Sequence, residues 1–106
     1  MITEVEVQAS VDNLLDSAYA SAQARANRAV LENGLKRIKA LEMQKVGGAV
    51  SAQERDAYAS EAYRIALEGL REAITQDETY RALRDAHAAR IEAWRTQSAT
   101  VRSVRL

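Results

Sequence analysis

The chain has one histidine, His87, with Arg84 three residues before it and Asp85 two before it. A single imidazole excludes His-pair metal motifs such as H-E-x-x-H. A di-iron helical bundle needs Glu-x-x-His, and here the residue three positions ahead of the histidine is arginine. A Ser-His-Asp arrangement could in principle use Asp85, but Asp85 lies on a different helical face from His87, and no strained nucleophile elbow precedes a serine. There is no P-loop and no G-x-G-x-x-G fingerprint, and without cysteine there is neither a disulfide framework nor a Cys-based zinc site. His87 therefore reads as a packing or hydrogen-bonding residue. The chain reads as a non-enzyme with no catalytic residues, metal or cofactor.

The charges offer a second kind of chemistry. Net charge is zero, with 15 acids against 15 bases, but the signs fall in blocks. Two mildly basic zones result, Arg25, Arg28, Lys36, Arg37 and Lys39 in one and Arg90, Arg95, Arg102 and Arg105 in the other. Twelve of the bases are arginine, whose planar fork pairs with carboxylate or phosphate in two-point fashion. Trp94 beside Arg95 would suit stacking on a nucleic-acid base, although a tryptophan on an apolar seam more commonly anchors a core. In an antiparallel hairpin the two zones lie at opposite ends, so one chain does not form a continuous phosphate track. The plainer reading is that they balance the acidic zones.

Two long helices must position these groups. Val46-Gly47-Gly48-Ala49-Val50 breaks the pattern, because adjacent glycines are poor in a helix interior and suit a helix C-terminus. Ser51-Ala52-Gln53-Glu54 then has the S-x-x-E form of a capping box. The expectation is an all-α single domain, a long antiparallel hairpin with a helix at about 10–45, a turn at 46–51, a second helix at about 52–98 and a frayed tail at 99–106. At 1.5 Å per residue the arms would be about 54 and 70 Å long. Asn33-Gly34 is a possible break in the first arm, but the Leu31, Leu35, Ile38 spacing runs through it and favours continuity.

The second helix has a seam at alternating steps of four and three: Ala59, Tyr63, Ala66, Leu70, Ala73, then Tyr80, His87, Ile91, Trp94 and Val101, with Leu67 and Ile74 widening its first half. Asp77 and Arg84 fall on the same seam and need partners, and Arg81 lies four residues beyond Asp77, where it can pair along the helix. Asp77, Arg81 and Arg84 thus read as a polar layer that fixes register. The first helix is apolar on two faces, Val11, Leu15, Ala18, Ala22, Ala26 and Ala29 on one and Ala20, Ala24, Leu31, Leu35 and Ile38 on the other. A lone hairpin covers only one of these. The expectation is therefore self-association into a dimeric four-helix bundle, or a protein partner, using Leu31, Leu35, Ile38, Tyr63, Leu70, Ile74, Tyr80, Ile91 and Trp94.

The N-terminus has no basic region followed by an apolar run and so reads as no signal peptide, and no run of 18 apolar residues marks a membrane span. The expected location is the cytoplasm.

Four stretches, Ala22-Gln23-Ala24-Arg25-Ala26-Asn27-Arg28, Ala52-Gln53-Glu54-Arg55-Asp56-Ala57-Tyr58, Leu70-Arg71-Glu72-Ala73 and Arg90-Ile91-Glu92-Ala93-Trp94-Arg95-Thr96-Gln97, give the chain a resemblance to uncharacterised small helical proteins of tailed bacteriophages and prophages, encoded near early recombination and replication genes. The resemblance implies a phage origin and no activity. The leading expectation is an adaptor or inhibitor of another protein. The alternatives are an accessory factor binding single-stranded nucleic acid through the two basic zones, and a structural or scaffold component.

Overall fold

A side chain at the N-terminus closes the first helix. Thr3, with extended backbone, accepts the Glu6 backbone N–H on Oγ1 at 3.2 Å, and its hydroxyl donates to the Glu6 carboxylate at 3.2 Å. This variant of the capping box starts α1 at Glu4–Asp16, well before the expected start near Ser10. The structure, a computed structural model, describes residues 1–105.

The first arm is interrupted at Ser17 and then continues as α2, Ala18–Gln44. Arg84 donates through Nη1 to the Leu14 carbonyl and to Ser17 Oγ, both at 2.9 Å. A side chain inserted into the carbonyl ladder is a recognised cause of such a break. Asn33-Gly34 lies inside α2, so the first arm is not divided there.

After α2, Gly48 takes a φ of +97°, the left-handed region that glycine enters without strain, and α3 follows at Val50–Tyr58. The Ser51–Glu54 capping box does not form. The N-cap is Ala49, with no side-chain bond, so Ser51 already sits inside the first turn, past the position from which a hydroxyl caps. Gln53 Nε2 bonds the turn instead, donating to the Val46 carbonyl at 3.2 Å and the Gly48 carbonyl at 3.3 Å.

The expected second helix is two helices. Ser60 Oγ donates to the Ala57 carbonyl at 2.7 Å and accepts the Tyr63 N–H at 3.2 Å, closing α3 and capping α4, Glu61–Val104. Helix α4 runs through most of the segment expected to fray. The propensity penalty of Thr100, Val101 and Val104 is only a few tenths of a kcal/mol each, and Val101 is half-buried. The last residue of the expected tail, Leu106, lies outside the described residues.

The helices form two units. One holds Met1–Ala22 with the chain from Glu78 onward, the other Gln23–Asp77. In the first, Ile2 bonds Gln97, Ser10 bonds His87 and Ser17 bonds Arg84, so α1 and α4 are antiparallel. In the second, Arg28 of α2 bonds Asp77 of α4 and Lys39 faces Glu54 of α3. Within each unit the α4 residues shielded from solvent recur at steps of three and four: Tyr63, Ala66, Leu70, Ala73 and Asp77 in one, Tyr80, Arg84, His87, Ile91 and Trp94 in the other. Among the described residues the buried apolar ones are few and mostly small: Val7, Ala24, Ala57 and Ala73. Among the described residues the fold is all-α, and no helix is long and apolar enough to cross a membrane.

Candidate functional site

The most organised chemistry lies in the seam of the first unit. Ser10 is fully buried, and its Oγ shares a 2.9 Å hydrogen bond with His87 Nδ1. One helical turn along, Arg84 holds Ser17 and the Leu14 carbonyl. At the other end, Gln97 makes a two-way clasp with the Ile2 backbone, its Oε1 accepting the Ile2 N–H at 3.1 Å and its Nε2 donating to the Ile2 carbonyl at 2.9 Å. In the second unit, Asp77, 5 % exposed, accepts from Arg28 Nη1 at 3.3 Å, and Arg28 also reaches Glu32 at 3.1 Å. No buried side-chain nitrogen or oxygen lacks a partner among the described residues. These groups hold one another in place.

The polar layer therefore differs from its expected form. Asp77 pairs across to α2, not along α4, and Arg81 points to Glu78 at 3.8 Å. Arg84 bonds backbone and serine rather than a carboxylate. The reason is that a buried carboxylate on the seam faces the opposite helix, whereas Arg81 is on an exposed flank.

Most residues expected to make an interface are used within the chain. Leu35, Ile38, Tyr63, Leu70 and Ile74 in the second unit, and Tyr80, Ile91 and Trp94 in the first, are half-buried, and all but Ile74 occupy the heptad lines that carry the cross-helix bonds. Tyr63 packs edge-on against Tyr58, ring centroids 5.2 Å apart. Leu31 stays on the surface. Of the two apolar faces of the first arm, it is the Leu15 side that is left open: Leu15 is 72 % and Tyr19 78 % exposed, and Ala18, Ala22, Ala26 and Ala29 are exposed as well.

The basic residues divide in the same way. Arg28 is committed to Asp77 and Glu32, and Lys39 lies 3.6 Å from Glu54 with its ammonium 4.5 Å from the Tyr58 ring centroid. Tyr58, and after it Glu54, holds Lys39 above the ordinary lysine value. Arg25, Lys36 and Arg37 are exposed. Near the C-terminus, Trp94, Arg95, Arg102 and Arg105 border one open groove of about 690 Å³, together with Glu4 and Glu92, and Arg95 is bonded to Glu92 at 2.9 Å. At the start of α4, hydrogen bonding to Arg64 holds the Glu61 carboxyl below the usual range, and Glu61 in turn raises Arg64.

Sequence reasoning missed Thr3, Ser10, Ser17, Gln53 and Gln97. Ser10, Ser17, Ala24, Arg28 and Leu35 continue the three-four spacing that starts at Val7, but a search for apolar repeats passes over a line half of whose members are polar.

No protein-family model matches the chain, and no curated protein or solved structure matches it. None of these comparisons connects it to phage or prophage proteins. Among the described residues, no group of three or more His, Asp or Glu is placed to hold a metal ion.

Proposed function

We propose that this chain is a non-enzymatic interaction protein: a helical hairpin that pairs with a second copy of itself into a four-helix bundle and acts on another protein as an adaptor or inhibitor. The observation that carries this reading is the amount of apolar surface left open. Leu15, Tyr19, Val30, Leu41 and Ile65 are all exposed, whereas the buried apolar residues among those described are one valine and three alanines. Large side chains lose favourable free energy at about 25 cal/mol per Å² of apolar area left wet, and pairing recovers it. Sedimentation velocity of the full chain from 1 to 100 µM, concentrations chosen to bracket a micromolar dimer, tests the reading. The expected result is a dimer mass at the upper end, and a monomer throughout refutes self-association.

A second reading, single-stranded nucleic-acid binding, is supported by the groove that gathers Trp94, Arg95, Arg102 and Arg105. Arg28 and Lys39 contribute little to it, being already paired with carboxylates. Fluorescence anisotropy of a labelled oligonucleotide at low and physiological salt tests it. Binding should weaken steeply with salt, and the Arg102→Ala, Arg105→Ala double variant should flatten the slope, by about 0.7 for each phosphate that is no longer neutralised. No binding at low salt eliminates this reading.

A further inference from the structure

One flank of the Gln23–Asp77 unit carries exposed apolar side chains and open grooves beside the seam that folds the chain. At 100° per residue, Val30, Leu31, Gly34, Ile38 and Leu41 share a stripe of α2, and Ala62, Ile65, Gly69 and Ala73 share a stripe of α4. Two open grooves lie between them. One, of about 340 Å³, is bordered by Val30, Leu31, Gly69 and Ala73 together with the polar Asn27, Glu72 and Gln76, and the other, of about 590 Å³, by Ile38, Leu41 and Ala62 together with Glu42, Gln44 and Lys45. Leu41 is 46 % and Ile65 56 % exposed. Gly34 and Gly69 stand inside helices, where glycine is a poor choice, and a Cβ built on either would meet nothing within 4 Å.

The charges bordering this flank are complementary. Arg37 lies on the outer edge of the α2 stripe and Glu72 on the outer edge of the α4 stripe, both exposed, and neither makes an ion pair among the described residues. The Arg28–Asp77 pair sets the antiparallel register and places Glu72 within about one helical turn of the level of Arg37. A two-fold axis parallel to the helices exchanges the edges, laying α2 of one copy over α4 of the other. Arg37 then meets Glu72 of the second copy, and the reciprocal pair forms with it. The stripe from Asn27 to Lys45 is about 27 Å long and two helices are about 20 Å wide, so the joint footprint of both partners is about 1,100 Å², above the roughly 1,000 Å² a specific interface needs.

We propose that this flank is the self-association face and that its occupant is the same flank of a second copy of the chain. This rests on the self-association reading above and adds the face, the symmetry and the pairing. The test is the dimer dissociation constant, by sedimentation, of the wild-type chain, Arg37→Glu, Glu72→Arg and the double charge swap. Each single change should weaken the dimer at least tenfold by setting like charges opposite each other, and the double swap should return it to within threefold of wild type. Gly69→Leu, which has open space within the chain, should abolish the dimer while circular dichroism shows full helicity. A wild-type dimer that all these variants leave unchanged refutes this face and leaves self-association standing. A wild-type monomer refutes both.

Discussion

Replacing Asp77 with alanine probes the polar seam most directly. The carboxylate is 7 % exposed and its single contact to Arg28 is 3.3 Å. At that distance the attraction is about 5 kcal/mol for an effective dielectric of about 20. Desolvating the two groups offsets several kcal/mol of this, and Arg28, 27 % exposed and still held by Glu32, is not stranded when Asp77 is removed. The net destabilisation of Asp77→Ala should therefore be about 2 kcal/mol, less than the 3–5 kcal/mol of a fully buried pair. For a chain of this size that lowers Tm by roughly 10 °C. The assay is thermal unfolding followed by ellipticity at 222 nm, at one protein concentration and pH 7. The companion variant Arg28→Met with Asp77→Leu should be at least as stable as wild type, because it removes both charges from the seam. The reasoning is refuted if Asp77→Ala melts within about 2 °C of wild type, or if the paired hydrophobic variant is less stable than Asp77→Ala.

Three further outcomes follow from the same geometry. Ser10→Ala should cost about 1–2 kcal/mol in urea unfolding, since it removes the partner of a half-buried His87 ring nitrogen. Gly48→Ala should destabilise by about 1 kcal/mol because its φ is +97°, while Gly47→Ala, at a residue without positive φ, should be close to neutral by the same assay. The Glu61 carboxyl is lowered in the folded chain, so its contribution is present above the usual glutamate range and is lost as pH falls through the lowered value; an NMR titration should show Glu61 protonating at lower pH than an unpaired glutamate and first-turn α4 amide protection declining in step.

Several of these features are legible in the sequence. The Gly47-Gly48 break and the three-four spacing of Tyr63, Leu70, Tyr80, Ile91 and Trp94 depend on local propensity and periodicity, and both are found in the structure. What is not legible depends on partners far along the chain. The break at Ser17 is where Arg84 bonds the first arm, and Asp77 finds Arg28 rather than the nearer Arg81. Ser51-x-x-Glu54 has the right residues for a cap, yet the helix begins one residue ahead of Ser51. Thr3-x-x-Glu6 is the same signal and is the one that operates, but the run Glu4-Val5-Glu6-Val7 that follows Thr3 alternates polar and apolar in the manner of a strand. For the site, the charges that turn out to be paired, Arg28 and Lys39, are indistinguishable by type from Arg25, Lys36 and Arg37, which are not; only the tertiary register separates them.

The side-chain bonds of the fold also differ in how much chain each one closes. Their separations along the chain rise from 7 residues at Gln53–Val46 through 49 at Arg28–Asp77 and 77 at Ser10–His87 to 95 at Ile2–Gln97. Closing the 95-residue loop first costs about 2 kcal/mol more chain entropy than closing the 7-residue one. Once the inner contacts exist, each next pair closes only a short additional loop. By loop-closure entropy alone, the bond at the glycine turn is the cheapest of these to close and the Ile2–Gln97 clasp the costliest.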